Sequence, residues 1–199
     1  MKSVVLLFNS SCVYEIVILN YFLNFTGKEV VFVSMDGKSI TAMEGYSINV
    51  SDKLESIDSS EVELMIVPGG NIKEIDNEKV WNYINRVKDN GGLIAGICAG
   101  VDVLDHAGVL EGIVSTHSDD LDVAVDDNVI TSRANGYVDF AIEVAKKMDL
   151  FEDEADLQET IMFWREHKDI HNCSGQIYAE PHKSDDNVSH TEASLHQRS

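Results

Sequence analysis

The sequence predicts a single α/β domain, a doubly wound and mostly parallel sheet sandwiched between helices in the flavodoxin-like manner. Three observations carry this expectation. Continuous apolar runs recur at Val4 to Phe8, Val30 to Met35, Val62 to Val67, Leu93 to Ile97 and Val129 to Ser132, the pattern of strands buried on both faces of a parallel sheet. Stretches with apolar residues at helical spacing separate most of them, which makes βαβ units with right-handed crossovers. Two of the runs end in glycine-rich segments, Pro68-Gly69-Gly70 and Cys98-Ala99-Gly100, at the strand ends where open α/β sheets bind ligands.

In chain order, the run from Val4 gives way after Asn9-Ser10-Ser11 to a helix predicted over Cys12 to Phe25, stopped by Thr26-Gly27. Val30 to Met35 is a second strand closed by the turn signal Asp36-Gly37. Tyr46 to Val50 reads as an edge strand or hairpin arm. After Val62 to Val67 and its Pro-Gly-Gly stop, a helix from about Asn77 to Lys88 carries Val80, Trp81, Ile84 and Val87 on one face, and Asn90-Gly91-Gly92 ends it. Leu93 to Ile97 runs straight into Cys98 and a helix with Val101, Val103 and Leu104. Val114 to His117 reads as the end of another strand, and Val129 to Ser132 as the last central one. Tyr137 to Met148 and Ala155 to His167 are amphipathic helices. Residues 1–168 form the expected domain. From Asp169 the composition turns to His, Ser, Asp and Asn, so 169–199 is expected to be a polar tail, weakly held from Gly175 to Ser199.

Composition excludes some functions. A chain of 199 residues, 44% of them hydrophobic, suffices for one good core. Fifteen basic against 35 acidic residues give a formal charge of −20, which repels phosphate backbones and anionic lipid and so argues against nucleic acid or a membrane as partner. The first apolar run is too short for a secretory signal, and no stretch approaches membrane-spanning length. Cys12, Cys98 and Cys173 are odd in number and widely spaced, without a Cys-x-x-Cys pair. That argues against a disulfide framework or zinc site, and for a reducing cytoplasm. Asn-x-Ser/Thr triplets such as Asn24-Phe25-Thr26 then count as composition. No pattern for a metal or organic cofactor is present, and His167 and His171, four apart, have no matching acid-histidine motif.

The chemistry concentrates at Gly96-Ile97-Cys98-Ala99-Gly100, a glycine-x-nucleophile-x-glycine pattern with cysteine as nucleophile. Such a residue sits on a sharp strand-to-helix turn, where side chains two positions away would collide. A thiol near a helix N-terminus is expected to have a lowered pKa, and the free N–H groups of Ala99 and Gly100, with Gly70 opposite, suit a developing oxyanion. The competing reading is a small core cysteine flanked by glycines for packing. Cys12 and Cys173 lack an elbow and read as packing or surface residues, although Cys12, three before Glu15 on one helical face, keeps a redox partnership with Cys98 open. Glu15 is the only charge between Lys2 and Lys28. It lies either on the helix's solvated stripe or buried, protonated and hydrogen-bonded. His117 alone reads as structural.

Together these residues resemble the ThiJ/PfpI superfamily, which includes the parkinsonism-associated protein deglycase and intracellular proteases and shares the elbow with class I glutamine amidotransferases. The resemblance covers about residues 1 to 168 and rests on Tyr14-Glu15, Ile66-Val67-Pro68-Gly69-Gly70, Ala95 to Gly100, Ser115-Thr116-His117 and Ile130-Thr131-Ser132-Arg133. It implies that Cys98 is the reactive thiol, Glu15 a protonated acid bonded to it, and His117 a nearby base or proton shuttle. It further implies oxyanion contacts from Gly70 and Ala99, and a homodimer. Ala99 stands where protease-like members place histidine, and Ala134-Asn135-Gly136 replaces the usual glycine-proline-glycine. The implied function is a cysteine-dependent enzyme, glyoxalase, deglycase or hydrolase in type, acting on a small electrophilic carbonyl compound. One alternative is a non-catalytic oxidative-stress sensor or chaperone with an oxidisable Cys98. The other is a glutamine amidotransferase using His190-Thr191-Glu192, a His-x-Glu pair with no strand before it.

Overall fold

Three strands begin and end on the residues expected of them, and two of these carry the glycine-rich segments. The computed structural model of the chain describes residues 1–118 and 120–168. In chain order the strands are β1 (Lys2–Leu6), β2 (Glu29–Ser34), β3 (Ile40–Thr41), β4 (Ser47–Ile48), β5 (Asp52–Lys53), β6 (Val62–Val67), β7 (Leu93–Ile97), β8 (Val123–Asp126) and β9 (Val129–Ser132). The helices are α1 (Val17–Phe25), α2 (Glu78–Asp89), α3 (Gly100–His106), α4 (Tyr137–Lys147) and α5 (Glu154–Trp164). Seven strands form one sheet in the order β5-β2-β1-β6-β7-β9-β8, parallel throughout except for the β8–β9 pair.

β1 has β2 on one side and β6 on the other, so the chain reverses its direction of winding there. The crevice at the carboxyl ends of β1 and β6 is the switch point where such sheets bind ligands. Side chains alternate between two cores. Val4, Leu6, Met65 and Val67 face α2 and α3, packing on Val80, Ile84, Val103 and Leu104. Val5, Leu7, Leu64 and Ile66 face α1 and α4, packing on Leu19, Leu23, Phe140 and Val144. Burying each such side chain contributes about 1.5–3 kcal/mol, which fixes β6 and β7 firmly enough to aim the segments at their ends. The α2 start is capped by the Asn77 side chain, which accepts from the N–H groups of Lys79 and Val80.

Three differences from the sequence reading have physical causes. The continuous helix expected from Cys12 is instead one turn of 3-10 helix, Tyr14–Ile16, followed by α1; Ile16, at φ −121° and ψ 0°, separates them. Cys12 therefore lies in a loop and not on a helical face with Glu15. Val114 to His117 forms turns, not a strand. The edge strands are β5 and β8, and β8 makes a tight hairpin with β9 through Asp127 at φ 49°. Tyr46 to Val50 supplies a hairpin arm, β4 paired with β3.

Candidate active site

The site is assembled from three segments that meet at the switch point. Cys98 follows β7 immediately and has φ 56°, left-handed backbone that a β-carbon-bearing residue adopts only when its surroundings enforce it. Its N–H donates to the Ser132 carbonyl at 2.8 Å, tying the bend to the end of β9. The flanking glycines are explained by contact. A β-carbon on Gly100 would lie 2.1 Å from the Val67 carbonyl oxygen, and one on Gly96 would lie 2.6 Å from Leu104 Cδ1. The elbow is thus pressed onto β6 and α3 with no room for side chains. Cys98 itself is partly exposed.

Glu15 is 1% exposed. Its Oε2 accepts the Gly69 N–H at 2.8 Å, while Oε1 is buried with no partner among the described residues. Burial holds this carboxyl above its usual range, opposed by the Gly69 N–H and by the Cys98 and Tyr14 side chains. Glu15 and Cys98 converge on Gly69. A β-carbon there would be 2.6 Å from Cys98 Cβ, 2.8 Å from Glu15 Oε2 and 2.9 Å from Cys98 Sγ. The thiol is pushed up by burial and by the Glu15 carboxylate, against a pull downward from the Ala99 N–H on the sulfur. The lowered thiol pKa expected from the helix start is therefore reversed, because desolvation and a neighbouring carboxylate outweigh a short helix's dipole.

Gly70 has φ 121°, and a β-carbon on it would lie 2.0 Å from the Ser10 carbonyl oxygen. The Cys12 N–H donates to the Gly69 carbonyl and the Asn71 N–H to that of Ser10; these two bonds stitch the loop after β1 to the loop after β6 without using the Gly70 N–H. The structure therefore brings Cys98, Glu15, Ala99 and the Gly69-Gly70 pair together. His117 sits at the flank of α3, its Nε2 3.1 Å from Asp102 and its Nδ1 3.6 Å from Asp105. Asp102 in turn is the smallest of the charges that raise the Cys98 thiol.

Sequence reasoning missed the parts played by Gly69 and Tyr14, and it placed Cys12 on a helix. Gly69, not Gly70, donates to Glu15. Tyr14 packs edge-on against Tyr137 at 5.9 Å, its N–H donates to Glu44 Oε1, and burial raises its phenol pKa, with Glu15, Cys12 and Cys98 adding to the rise. Cys12, partly buried, is pushed up to about 11 by burial and then by the charges of Glu15, Cys98 and Glu44. The polar run Asn9-Ser10-Ser11, which breaks the apolar pattern, was the available sign that Cys12 belongs to a loop. Cys173 and His190-Thr191-Glu192 lie outside the described residues. A surface recess bordered by Asp122, Asp139, Glu143 and Arg165 shares no residue with these surroundings. Among the described residues, no group of three or more His, Cys, Asp or Glu is placed to hold a metal ion, and no helix is long and apolar enough to cross a membrane.

The model of the DJ-1/PfpI family matches residues 1–147. The deglycase TK1284 of Thermococcus kodakarensis is 32% identical over a region covering 55% of this chain and 76% of that protein, and the deglycase PfpI of Pyrococcus furiosus is 31% identical over the same shares. The uncharacterized protease YoaZ of Bacillus subtilis is 28% identical, over 62% of this chain and 68% of its own. The crystal structure of the DJ-1 superfamily protein Atu0886 from Agrobacterium tumefaciens superposes with a TM-score of 0.75 at 24% identity, covering 84% of this chain and all of that one. This last likeness concerns the fold.

Proposed function

The chain belongs to the DJ-1/PfpI family, and on that premise we propose that it is a cysteine-dependent enzyme acting on small electrophilic carbonyl compounds, of the glyoxal type or their adducts. One observation carries the reading: a partly exposed cysteine held at φ 56° with a buried carboxyl against it, whose pKa burial raises. The sulfur adds to the carbonyl carbon and forms a hemithioacetal, with the oxygen taking up the displaced electron pair. The Ala99 and Gly70 N–H groups are the donors assigned to that oxygen. Glu15 supplies the proton to it, and His117, through Asp102, is assigned the later proton transfers. Two relatives carry the name deglycase, which supports a carbonyl substrate. A reducing cytoplasm suits the two free cysteines of the described residues. The test is methylglyoxal consumption by the wild-type chain and by Cys98→Ala. We expect turnover only from the wild type, and equal consumption by the two rejects the proposal.

A second reading, a redox sensor, is favoured by the unpartnered Glu15 Oε1. A protonated oxygen there has a hydrogen bond to give to an oxidised Cys98 sulfur. Intact mass after mild peroxide decides it. Oxygen gained at Cys98 before Cys12 or Cys173 supports the sensor, and the reverse order rejects it.

A further inference from the structure

The loop after β1 brings a second thiol to this site. Cys12 is not on a helix: its N–H is bonded to the Gly69 carbonyl at 2.9 Å, and on the other side of that same glycine stand the Cys98 sulfur and the Glu15 carboxylate. Gly69, without a side chain, leaves this flank of the sulfur open. Bonds to Gly69 and Asn71, and to Thr41 and Met43 on the other side, hold the loop at this place beside the elbow, and it passes through Ser10 at φ 66°. A charge on Cys98 opposes ionisation of Cys12, and the Tyr14 phenol is raised by both.

We infer that Cys12 is the resolving thiol of the Cys98 site: a sulfenic acid formed on Cys98 by a hydroperoxide is captured by Cys12 as an intramolecular disulfide. This inference rests on Cys98 being a reactive thiol. In the first step the Cys98 thiolate attacks the terminal peroxide oxygen, the O–O bond breaks, the sulfur loses two electrons, and the departing alkoxide or hydroxide takes a proton from solvent and leaves as alcohol or water. In the second, the Cys12 sulfur attacks the Cys98 sulfur and the S–OH bond breaks. Glu15 gives its proton to the departing hydroxide, which leaves as water, and takes up the Cys12 thiol proton, so the carboxyl ends as it began. A dithiol reductant returns both thiols by exchange. The order follows from the surroundings. Burial raises both thiols, but the Ala99 N–H offsets part of the rise at Cys98, whereas Cys12 is pushed up to about 11, so Cys98 is the thiol oxidised first. Bridging requires the two Cα atoms to come within roughly 4.4–6.8 Å, a movement open to a loop and closed to a residue built into α1.

The test is near-stoichiometric hydrogen peroxide on the full chain, followed by alkylation of remaining thiols and peptide mapping without reductant. Wild type is expected to lose two hydrogens and to yield a Cys12–Cys98 linked peptide that dithiothreitol cleaves. Cys12→Ser, with Cys12→Ala as a second variant, is expected to accumulate Cys98 carrying two or three oxygens that dithiothreitol does not remove. The inference is overturned if wild-type Cys98 gains oxygens as fast as in Cys12→Ser with no linked peptide, or if the link joins Cys173 instead. Absence of any oxygen on Cys98 in Cys12→Ser overturns the reactive-thiol reading as well, so the two failures are told apart.

Discussion

Replacing Gly69 with alanine tests the site's architecture with a single carbon atom. The new β-carbon would stand 2.6 Å from Cys98 Cβ, 2.8 Å from Glu15 Oε2 and 2.9 Å from Cys98 Sγ, all closer than non-bonded heavy atoms tolerate. Cys98 cannot yield easily, because its backbone is bonded to Ser132 and pressed onto β6. Glu15 must therefore turn away and give up the Gly69 N–H. Overpacking of this kind costs about 1–3 kcal/mol, and leaving a buried acceptor unpaired adds about 1–3 kcal/mol. At roughly 2–4 °C per kcal/mol for a chain of this size, the expected drop in Tm is on the order of 10 °C. Thermal unfolding followed by circular dichroism measures it, and iodoacetamide alkylation of Cys98 follows the sulfur in parallel. In Gly69→Ala combined with Glu15→Ala the carboxylate is no longer in the way, so the double variant should lose less than the sum of the two single ones. The reasoning is refuted if Gly69→Ala unfolds within about 2 °C of wild type with an unchanged alkylation rate, or if the two substitutions are additive.

Glu15→Gln gives a pH signature. The carboxyl's pKa in the folded chain lies above its ordinary 4.5 because of burial. Its stabilising contribution is therefore complete below 4.5 and declines as pH rises through the folded value. Glutamine does not titrate there, so the Tm of wild type relative to Glu15→Gln should fall as pH increases from 4.5; a flat difference defeats the assignment of a buried, proton-retaining acid. The homodimer implied by the family resemblance has a candidate face in the outer stripe of α1, where Val17, Tyr21 and Phe25 are 52%, 52% and 69% exposed. Light scattering after size exclusion should report a dimer for wild type and a monomer for Tyr21→Lys; a wild-type monomer at micromolar concentration disposes of that proposal.

How legible each part was depended on whether a local pattern controlled it. β6 and β7 were readable to the residue because each is a continuous apolar run with an abrupt stop, Pro68 in one case and Cys98 in the other. The elbow was readable for the same reason, since the glycines at 96 and 100 answer to contacts that any strand-elbow-helix unit makes. The break before α1 was hidden. Val13, Ile16 and Val17 fit helical spacing whether or not the helix is continuous, and only the pairing of Ser11 with Gly70, a contact across 59 positions, pulls the first turn away. The edge strand β8 was missed because Val123 to Asp126 is short and its hairpin turn depends on Asp127 adopting φ 49°. Which of two adjacent glycines donates to Glu15 likewise depends on the register of two loops.

The direction of the Cys98 shift was the largest departure, and it follows from treating two groups as one. A helix start lowers a thiol's pKa when the thiol is the only titrating group. Here the Glu15 charge raises Cys98, and burial raises both, so the state with two negative charges is the disfavoured one. Between acidic and alkaline extremes the pair therefore holds a single proton, with macroscopic values that belong to the pair and not to either residue. When that proton sits on Glu15, the site contains a thiolate and an acid beside it, which suits both carbonyl addition and attack on a peroxide. Thiolate chemistry in this fold thus depends on the carboxyl as an internal proton store more than on the dipole of α3. In Glu15→Gln the store is gone and Cys98 should titrate alone, so alkylation rate against pH becomes a single step where the wild type shows two.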